Sequence, residues 1–192
     1  MSFEFELVLL EEGDYATLYS FQKEGEEETE LEKFWAKEEV RDAPDYENMQ
    51  IRLYEDVLMA QNFSHVKCFQ GPDRWFRAEG AAGDPDDINA EALCTDIPAK
   101  DRKKLRKPYP RLRLFCFRKR KILFAGNGAV KTTKRIQDDP ELLAAWQDIR
   151  YVMECVHNRI EWTDALNFQR IEFEDGYVEE DFILEGNHHF EL

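Results

Sequence analysis

Arg113, Arg118, Lys119, Lys121, Lys131, Lys134 and Arg135 crowd into one short stretch of this 192-residue chain, interleaved with Phe115, Phe117 and Phe124. A phosphodiester gains negative charge in its transition state, and several fixed ammonium and guanidinium groups can stabilise that charge without a separate acid and base. Rings between the cations offer faces on which single-stranded bases stack. Burial in the core of an amphipathic hairpin is the plainer reading of those rings, and for Phe124 the favoured one. From Lys100 to Arg135 the chain holds 15 Lys and Arg against one acid, Asp101, a local charge of +14; the remainder holds 11 against 40 and stands at −29. Such asymmetry points to a patch for a polyanion or an acidic partner on an otherwise acidic body. The ordinary alternative is a solvated basic hairpin paired with the chain's own carboxylates.

Other constellations fall short of a site. The run Gly126-Asn-Gly-Ala-Val-Lys131-Thr132 follows an apolar strand, but a phosphate loop ending on Lys131 requires glycine at positions 125 and 130, which are Ala125 and Val130. A dinucleotide loop beginning at Gly126 requires glycine where Lys131 stands. Glu154 and His157 have the spacing of paired metal ligands on one helical face, yet no second such pair follows, and a helix-end histidine or surface ion pair accounts for them. Cys155 with His157, and His188 with His189, are likewise incomplete as transition-metal sites. The sequence predicts neither a metal nor a cofactor.

The elements that must position the cations can be read from periodicity. Phe3, Phe5, Leu7 and Leu9 alternate with Glu4, Glu6 and Val8, and Tyr15 to Phe21 returns after an acidic turn, so residues 2–22 predict a hairpin. Thr29 followed by Glu32 forms a capping box for a helix carrying Leu31, Phe34 and Trp35, which places the surrounding glutamates at a solvated helix start. Asp42-Ala-Pro-Asp45 ends that helix and a second begins near Tyr46, making residues 29–62 a helical pair. Residues 80–98 lack periodicity and predict a long surface loop. Leu112, Leu114 and Cys116 alternate with Arg111, Arg113 and Phe115, and Ile122 to Ala125 returns as a second, basic hairpin. Gly126-Asn-Gly128 marks a sharp turn or bulge before Ala129 to Thr133, so three consecutive antiparallel strands are the simplest arrangement. Asp139-Pro140 opens a helix with an apolar stripe from Leu142 to Val156. Ile171 to Leu184, around Glu174-Asp-Gly176, predicts a final acidic hairpin.

At 43% hydrophobic and 13% aromatic residues the chain has ample core material, and its length suits one domain over residues 1–192. That domain comprises an acidic N-terminal part (1–62), an inserted loop (78–98) and an acidic C-terminal hairpin (159–192). Its apolar runs fall well short of the ~20 residues that span a bilayer, and no basic and apolar leader opens the chain. The scattered Cys68, Cys94, Cys116 and Cys155 suit reduced thiols rather than a disulfide framework or zinc site. Together these features predict a cytoplasmic protein without a membrane partner.

Leu112-Arg-Leu-Phe-Cys-Phe-Arg118, Ile122-Leu-Phe-Ala-Gly126, Val130-Lys-Thr-Thr133 and Asp139-Pro-Glu-Leu142 with Ala144-Ala145 follow one another in an order that resembles RelE/HigB-like toxins of toxin-antitoxin systems. The similarity covers about a quarter of the chain, over residues 111–150. It implies an α+β fold in which a small antiparallel sheet packs against a helical pair and a C-terminal helix, with the two terminal hairpins added. It also implies a ribosome-dependent ribonuclease that cuts messenger RNA by attack of the ribose 2′-hydroxyl on the adjacent phosphate, with an antitoxin as protein partner. Carried over residue by residue, Arg113, Arg118 and Lys131 become catalytic candidates, and Arg111, Lys119, Lys121, Lys134 and Arg135 RNA-binding ones. Two further readings keep the same fold. In one, the chain is a non-catalytic interaction protein for a basic protein or RNA; in the other, the acidic extensions cover the basic hairpin as an internal competitor.

Overall fold

Phe5 and Leu7 are buried while Glu6 and Val8, each following one of them, are half-buried, the alternation that a strand with one covered face requires. In this computed structural model Phe5–Glu12 forms β1, and Thr17–Lys23 returns antiparallel as β2. The described residues are 3–14, 16–59, 76–78, 90–94, 111–119, 122–133, 135–162, 171–173 and 188–190. Among the later strands are β3 (Phe76–Ala78), β4 (Glu91–Cys94), β5 (Arg111–Lys119) and β6 (Ile122–Lys131). Three-residue strands follow at β7 (Ile160–Trp162), β8 (Ile171–Phe173) and β9 (His188–Phe190). The order β4-β5-β6-β2-β1 makes the body of a seven-stranded sheet whose edges are β3 and β9, while β7 and β8 pair separately.

This is an α+β protein, but its main sheet is neither small nor wholly antiparallel, because β2 and β6 run parallel with Thr17 opposite Ile122 and Ser20 opposite Ala125. A parallel pair needs a long crossover, and here the helical region and β3 to β5 supply it. The expectation of three consecutive antiparallel strands is corrected in the same place. Ile122–Lys131 is one continuous strand, antiparallel to β5, and Gly126-Asn-Gly128 is a bulge within it.

Helices cover both faces of the sheet. Thr29 caps α1 (Glu30–Ala36) through the reciprocal box with Glu32 that the sequence pattern predicts. After it come α2 (Glu38–Arg41), α3 (Tyr46–Gln50) and a π-helical segment, Ile51–Val57. Leu31, Phe34, Val40, Met49, Leu53 and Val57 from this layer pack against Leu112, Leu114, Cys116, Leu123 and Ala125. On the opposite face α4 (Pro140–Arg159) lays Leu142, Ala145, Ile149, Val152 and Val156 over Phe115, Phe117, Phe124 and Phe21. Steps of three and four residues keep that stripe on one side of the helix, and each large side chain so buried stabilises the fold by about 1.5–3 kcal/mol.

Within the region expected to be one long loop, Glu91–Cys94 is instead a fully buried strand hydrogen-bonded to β5, with Glu91 opposite Cys116 and Cys94 opposite Arg113. Four residues covered on both faces show no alternation, so periodicity had nothing to detect. The expected hairpin around Glu174-Asp-Gly176 falls largely outside the described residues. The described pairing joins Ile160–Trp162 to Ile171–Phe173, and His188–Phe190 extends the main sheet beside β1. Tyr177, Val178, Phe182 and Leu184 lie outside the described residues.

The Gly-Asn-Gly bulge is built by three different neighbours. A Cβ on Gly126 would come within 3.1 Å of Ile149 Cδ1 and Phe21 Cε1, so this position lets α4 settle on the sheet. On Gly128 it would lie 1.8 Å from the Arg113 carbonyl oxygen, inside any permitted contact. Between them Asn127 donates from Nδ2 to Glu30 Oε2 at 2.7 Å and accepts the Gly128 N–H on Oδ1 at 2.8 Å. Lys37 Nζ donates to the Gly128 carbonyl at 2.7 Å. Glu30 is itself almost fully buried, correcting its placement at a solvated helix start. Its burial pushes the carboxyl pKa up, but hydrogen bonds from Lys33 and Asn127, with the charges of Lys23 and Lys33, outweigh that and hold it below its ordinary value of 4.5.

Two outcomes follow from this packing. Gly128→Ala should lower the unfolding free energy by about 3 kcal/mol in urea titration, and a loss under about 0.5 kcal/mol would contradict the close approach to Arg113. Because the folded-state pKa of Glu30 is depressed, its contribution is present above pH 4.5 and disappears as pH falls through the lower folded value. Glu30→Gln should therefore flatten the acid limb of the stability curve below pH 4.5; an unchanged limb would rule out that contribution.

Candidate nucleic-acid interface

Strand alternation decides which cations can act together. Leu112, Leu114 and Cys116 of β5 face the N-terminal helices, and so does Arg118 by the same period. Arg113, Phe115 and Phe117 face α4. Arg113 and Arg118 thus stand on opposite faces of the sheet. They are also separated by five residues of extended chain, about 16 Å.

Arg118 is committed to the interior. Its Nε donates to Glu91 Oε2 at 2.7 Å and its Nη2 lies 2.7 Å from the same oxygen, with both side chains only 8% exposed. The guanidinium also lies 3.8 Å from the centroid of the Phe76 ring. Burial pushes the Glu91 carboxyl up, and the charge and hydrogen bonds of Arg118 offset only part of that rise. Cys116, opposite Glu91 across the strands, is fully buried and its thiol is pushed well above its ordinary range, chiefly by desolvation and then by the Glu91 charge. The group β3-β4-β5 is thereby closed around a paired charge, a structural role for an arginine first counted among catalytic candidates.

Arg113 and Lys131 are brought together, and the bulge is the reason. Ile122 and Phe124 of β6 belong to the α4 side, and Leu123 and Ala125 to the other. Without an extra residue, Ala129 and Lys131 would continue on the side of Leu123. The register instead shifts, Leu114 opposing Gly128 and Cys116 opposing Ala125, so Ala129 enters the α4-side core and Val130 packs on the opposite one. Lys131 accordingly shares the Arg113 face, as its diagonal neighbour at about 7–8 Å. Arg111 occupies the register position opposite Lys131.

These cations differ in access. Arg113 is only 4% exposed and donates from Nη1 to the Leu112 carbonyl at 3.0 Å. Lys131 is half-buried, and Thr132 and Arg135 beyond it are exposed. Thr133 Oγ1 donates to the Arg135 carbonyl at 2.8 Å, tightening the turn that carries both Thr132 and Arg135 toward α4. Lys119 stands at the opposite end of β5, opposite Ile122 in register. Lys121 and Lys134 lie outside the described residues. Phe115, Phe117 and Phe124 are at most 1% exposed, with the Phe117 and Phe124 rings stacked at 4.4 Å, so base stacking by these rings is corrected to core packing.

His188 and His189 stand on the edge strand β9, with β1 and β2 between it and β6. Glu154, exposed on α4, pairs with Arg150 at 3.2 Å. Among the described residues there is no group of three or more His, Cys, Asp and Glu able to hold a metal ion, and no helix long and apolar enough to cross a membrane. Glu91, Glu30 and Asn127 are the residues that sequence reasoning missed. Glu91 sits in a strand too short to show a period, and Glu30 was hidden among neighbouring glutamates that are exposed. Comparison with family models, with curated proteins and with solved structures finds no match for this chain in any of the three.

The Arg118–Glu91 pair gives a sharp test of its structural role. Removing one partner from a buried pair leaves an uncompensated charge, so Glu91→Ala should cost about 3–5 kcal/mol, while Glu91→Ala combined with Arg118→Met should restore most of the loss. Chemical denaturation of the three proteins checks this, and a double variant no more stable than Glu91→Ala would refute the pairing.

Proposed function

We propose that this chain acts on RNA as the toxin component of a toxin-antitoxin pair, a ribosome-dependent messenger-RNA endoribonuclease that grips phosphate at the end of the β5–β6 ribbon. The observation that supports this reading is the bulge-set register, which puts Lys131 on the face of Arg113 and opposite the Arg111 position, just ahead of exposed Arg135. Lys131 and Arg135 meet the phosphates there. Arg113, buried beneath, adds positive potential that a low-dielectric surrounding screens less than water would. Attack by the ribose 2′-hydroxyl on the neighbouring phosphorus forms the P–O bond of a 2′,3′-cyclic phosphate as the hydroxyl proton passes to solvent, and it breaks the bond to the 5′-oxygen, which leaves as a hydroxyl after taking a proton from solvent. Lysine and arginine stabilise the charge that builds on the phosphoryl oxygens, with no metal in the step. Messenger RNA, the ribosome and an antitoxin are the partners of this reading, and the cytoplasm is its location.

A non-catalytic interaction protein of the same fold is the second reading, favoured by a specific observation: Arg118 is neutralised by Glu91 and Arg113 is almost inaccessible. Such a protein would bind RNA phosphates or a basic protein without cutting RNA.

Inducing the intact gene in a bacterial host separates the two. The toxin reading expects growth arrest with cleaved messenger RNA, relieved by Lys131→Ala at equal soluble expression. Unimpaired growth with abundant soluble protein would overturn it, and co-purification of uncut RNA or a basic protein would then select the second reading.

A further inference from the structure

Among the described buried polar groups that the proposed chemistry leaves unused, Asp45 takes the Leu112 N–H on β5, and the Glu30 cluster reaches the bulge in β6 that precedes Lys131. Glu30 is 5% exposed and takes Lys33 Nζ on Oε1 at 2.7 Å and Asn127 Nδ2 on Oε2 at 2.7 Å. Lys23 lies 3.8 Å from Oε1 and bonds Asp148 of α4 at 2.6 Å, so the cluster ties together α1, β2, β6 and α4. Asn127 is the only member that belongs to the bulge, and it also fixes the Gly128 N–H. The Gly128 carbonyl is held by Lys37, which also pairs with Glu141 at the start of α4. Both sides of the Asn127–Gly128 region are thus gripped by the N-terminal helical layer.

What that grip determines is a side-chain direction. A strand pair that lost its extra residue would turn every later side chain to the other face. Ala129 would leave the α4-side core, and Lys131 would leave the face of Arg113 for the side packed by Val130 and Leu112.

We propose that Glu30 and Asn127 are positioning residues for phosphate binding: Glu30, holding the Asn127 amide, fixes the bulge that places Lys131 on the Arg113 face. The role is exerted through Lys131, and neither residue touches the nucleic acid. It rests on the phosphate-gripping reading above and adds to it a device in a separate part of the molecule.

The experiment measures binding of a fluorescein-labelled single-stranded RNA oligonucleotide across a salt series, with urea unfolding to confirm that each variant is folded. Lys131→Ala should weaken binding about tenfold and make the salt slope shallower by about 0.7, the loss of one phosphate contact. Asn127→Ala keeps Lys131 but should reproduce both changes. The double variant should bind no more weakly than Lys131→Ala alone, since each removes the same contact. Glu30→Ala, which removes the acceptor of the Asn127 amide, should shift affinity and slope in the same direction as Asn127→Ala. A merely structural role would lower stability without moving that slope. Wild-type affinity and slope in folded Asn127→Ala, with Lys131→Ala impaired, would overturn the positioning role and spare the phosphate reading; so would independent, multiplying losses in the double variant. Wild-type binding by Lys131→Ala would instead remove the phosphate reading, and the positioning role with it.

Discussion

The constraint on which this molecule depends is the two-residue period of strand β6, interrupted once. Held in register by β5 along its length and by β2 from Ile122 to Ala125, the strand fixes which face each side chain takes. One added residue at Gly126-Asn127-Gly128 changes the assignment of everything after it. The glycines are dictated by contact rather than by unusual dihedral angles: α4 presses on the first and the β5 backbone on the second. The asparagine between them accepts the Gly128 N–H on its Oδ1 while Lys37 donates to the Gly128 carbonyl, so the backbone groups of Gly128 are satisfied, and its amide ties the bulge to Glu30 of α1.

Two buried charge systems flank that strand and divide the work of the basic segment. Taking an ion pair out of water costs several kcal/mol per ion before attraction and hydrogen bonds offset it, so such pairs specify an arrangement more than they add stability. Glu91 with Arg118 fastens the short strands β3 and β4 to β5 on the N-terminal-helix face. Glu30 with Lys33, Lys23 and Asn127 fastens α1 to β6. An arginine drawn into the first system is withdrawn from any external anion. Of the basic segment's described side chains, the cations that remain at the surface lie past the bulge, at Lys131 and Arg135.

Much of the local structure was legible in residue patterns. The alternation from Phe5, the Thr29–Glu32 box, the break at Asp42 to Asp45, and the apolar stripe from Leu142 to Val156 each report a period or a cap, and each element forms where those signals lie. Long-range choices were not legible. No local pattern states that β2 lies parallel to β6, because Thr17 to Phe21, buried throughout, would suit a central strand of either sense. Glu91 reads as one more acid in a stretch without periodicity until Arg118 is placed beside it across the sheet. The candidate site was half legible for the same reason: charge density located the segment, but the face of each cation depends on counting through a bulge whose nature as turn or insertion the sequence left open.

The burial of the aromatic rings limits what kind of recognition this surface supports. Phe115, Phe117 and Phe124 lie under α4, so among the described residues the sheet offers none of these rings as a platform for splayed bases. Readers of RNA sequence use such stacking together with hydrogen bonds to base edges, whereas contacts to phosphate carry position but no sequence. Lysine and arginine at the strand end would bind any single strand by displacing counterions, with an affinity that falls steeply as salt rises. Exposed glutamates of the helical layer and the acidic turn after β2 act in the opposite sense, repelling a polyanion within the 8–10 Å over which surface charges act near physiological ionic strength. A backbone approaching the helical layer or that turn meets this repulsion. On the proposed reading, discrimination between RNA sites comes from where the RNA is presented rather than from bases read by this sheet.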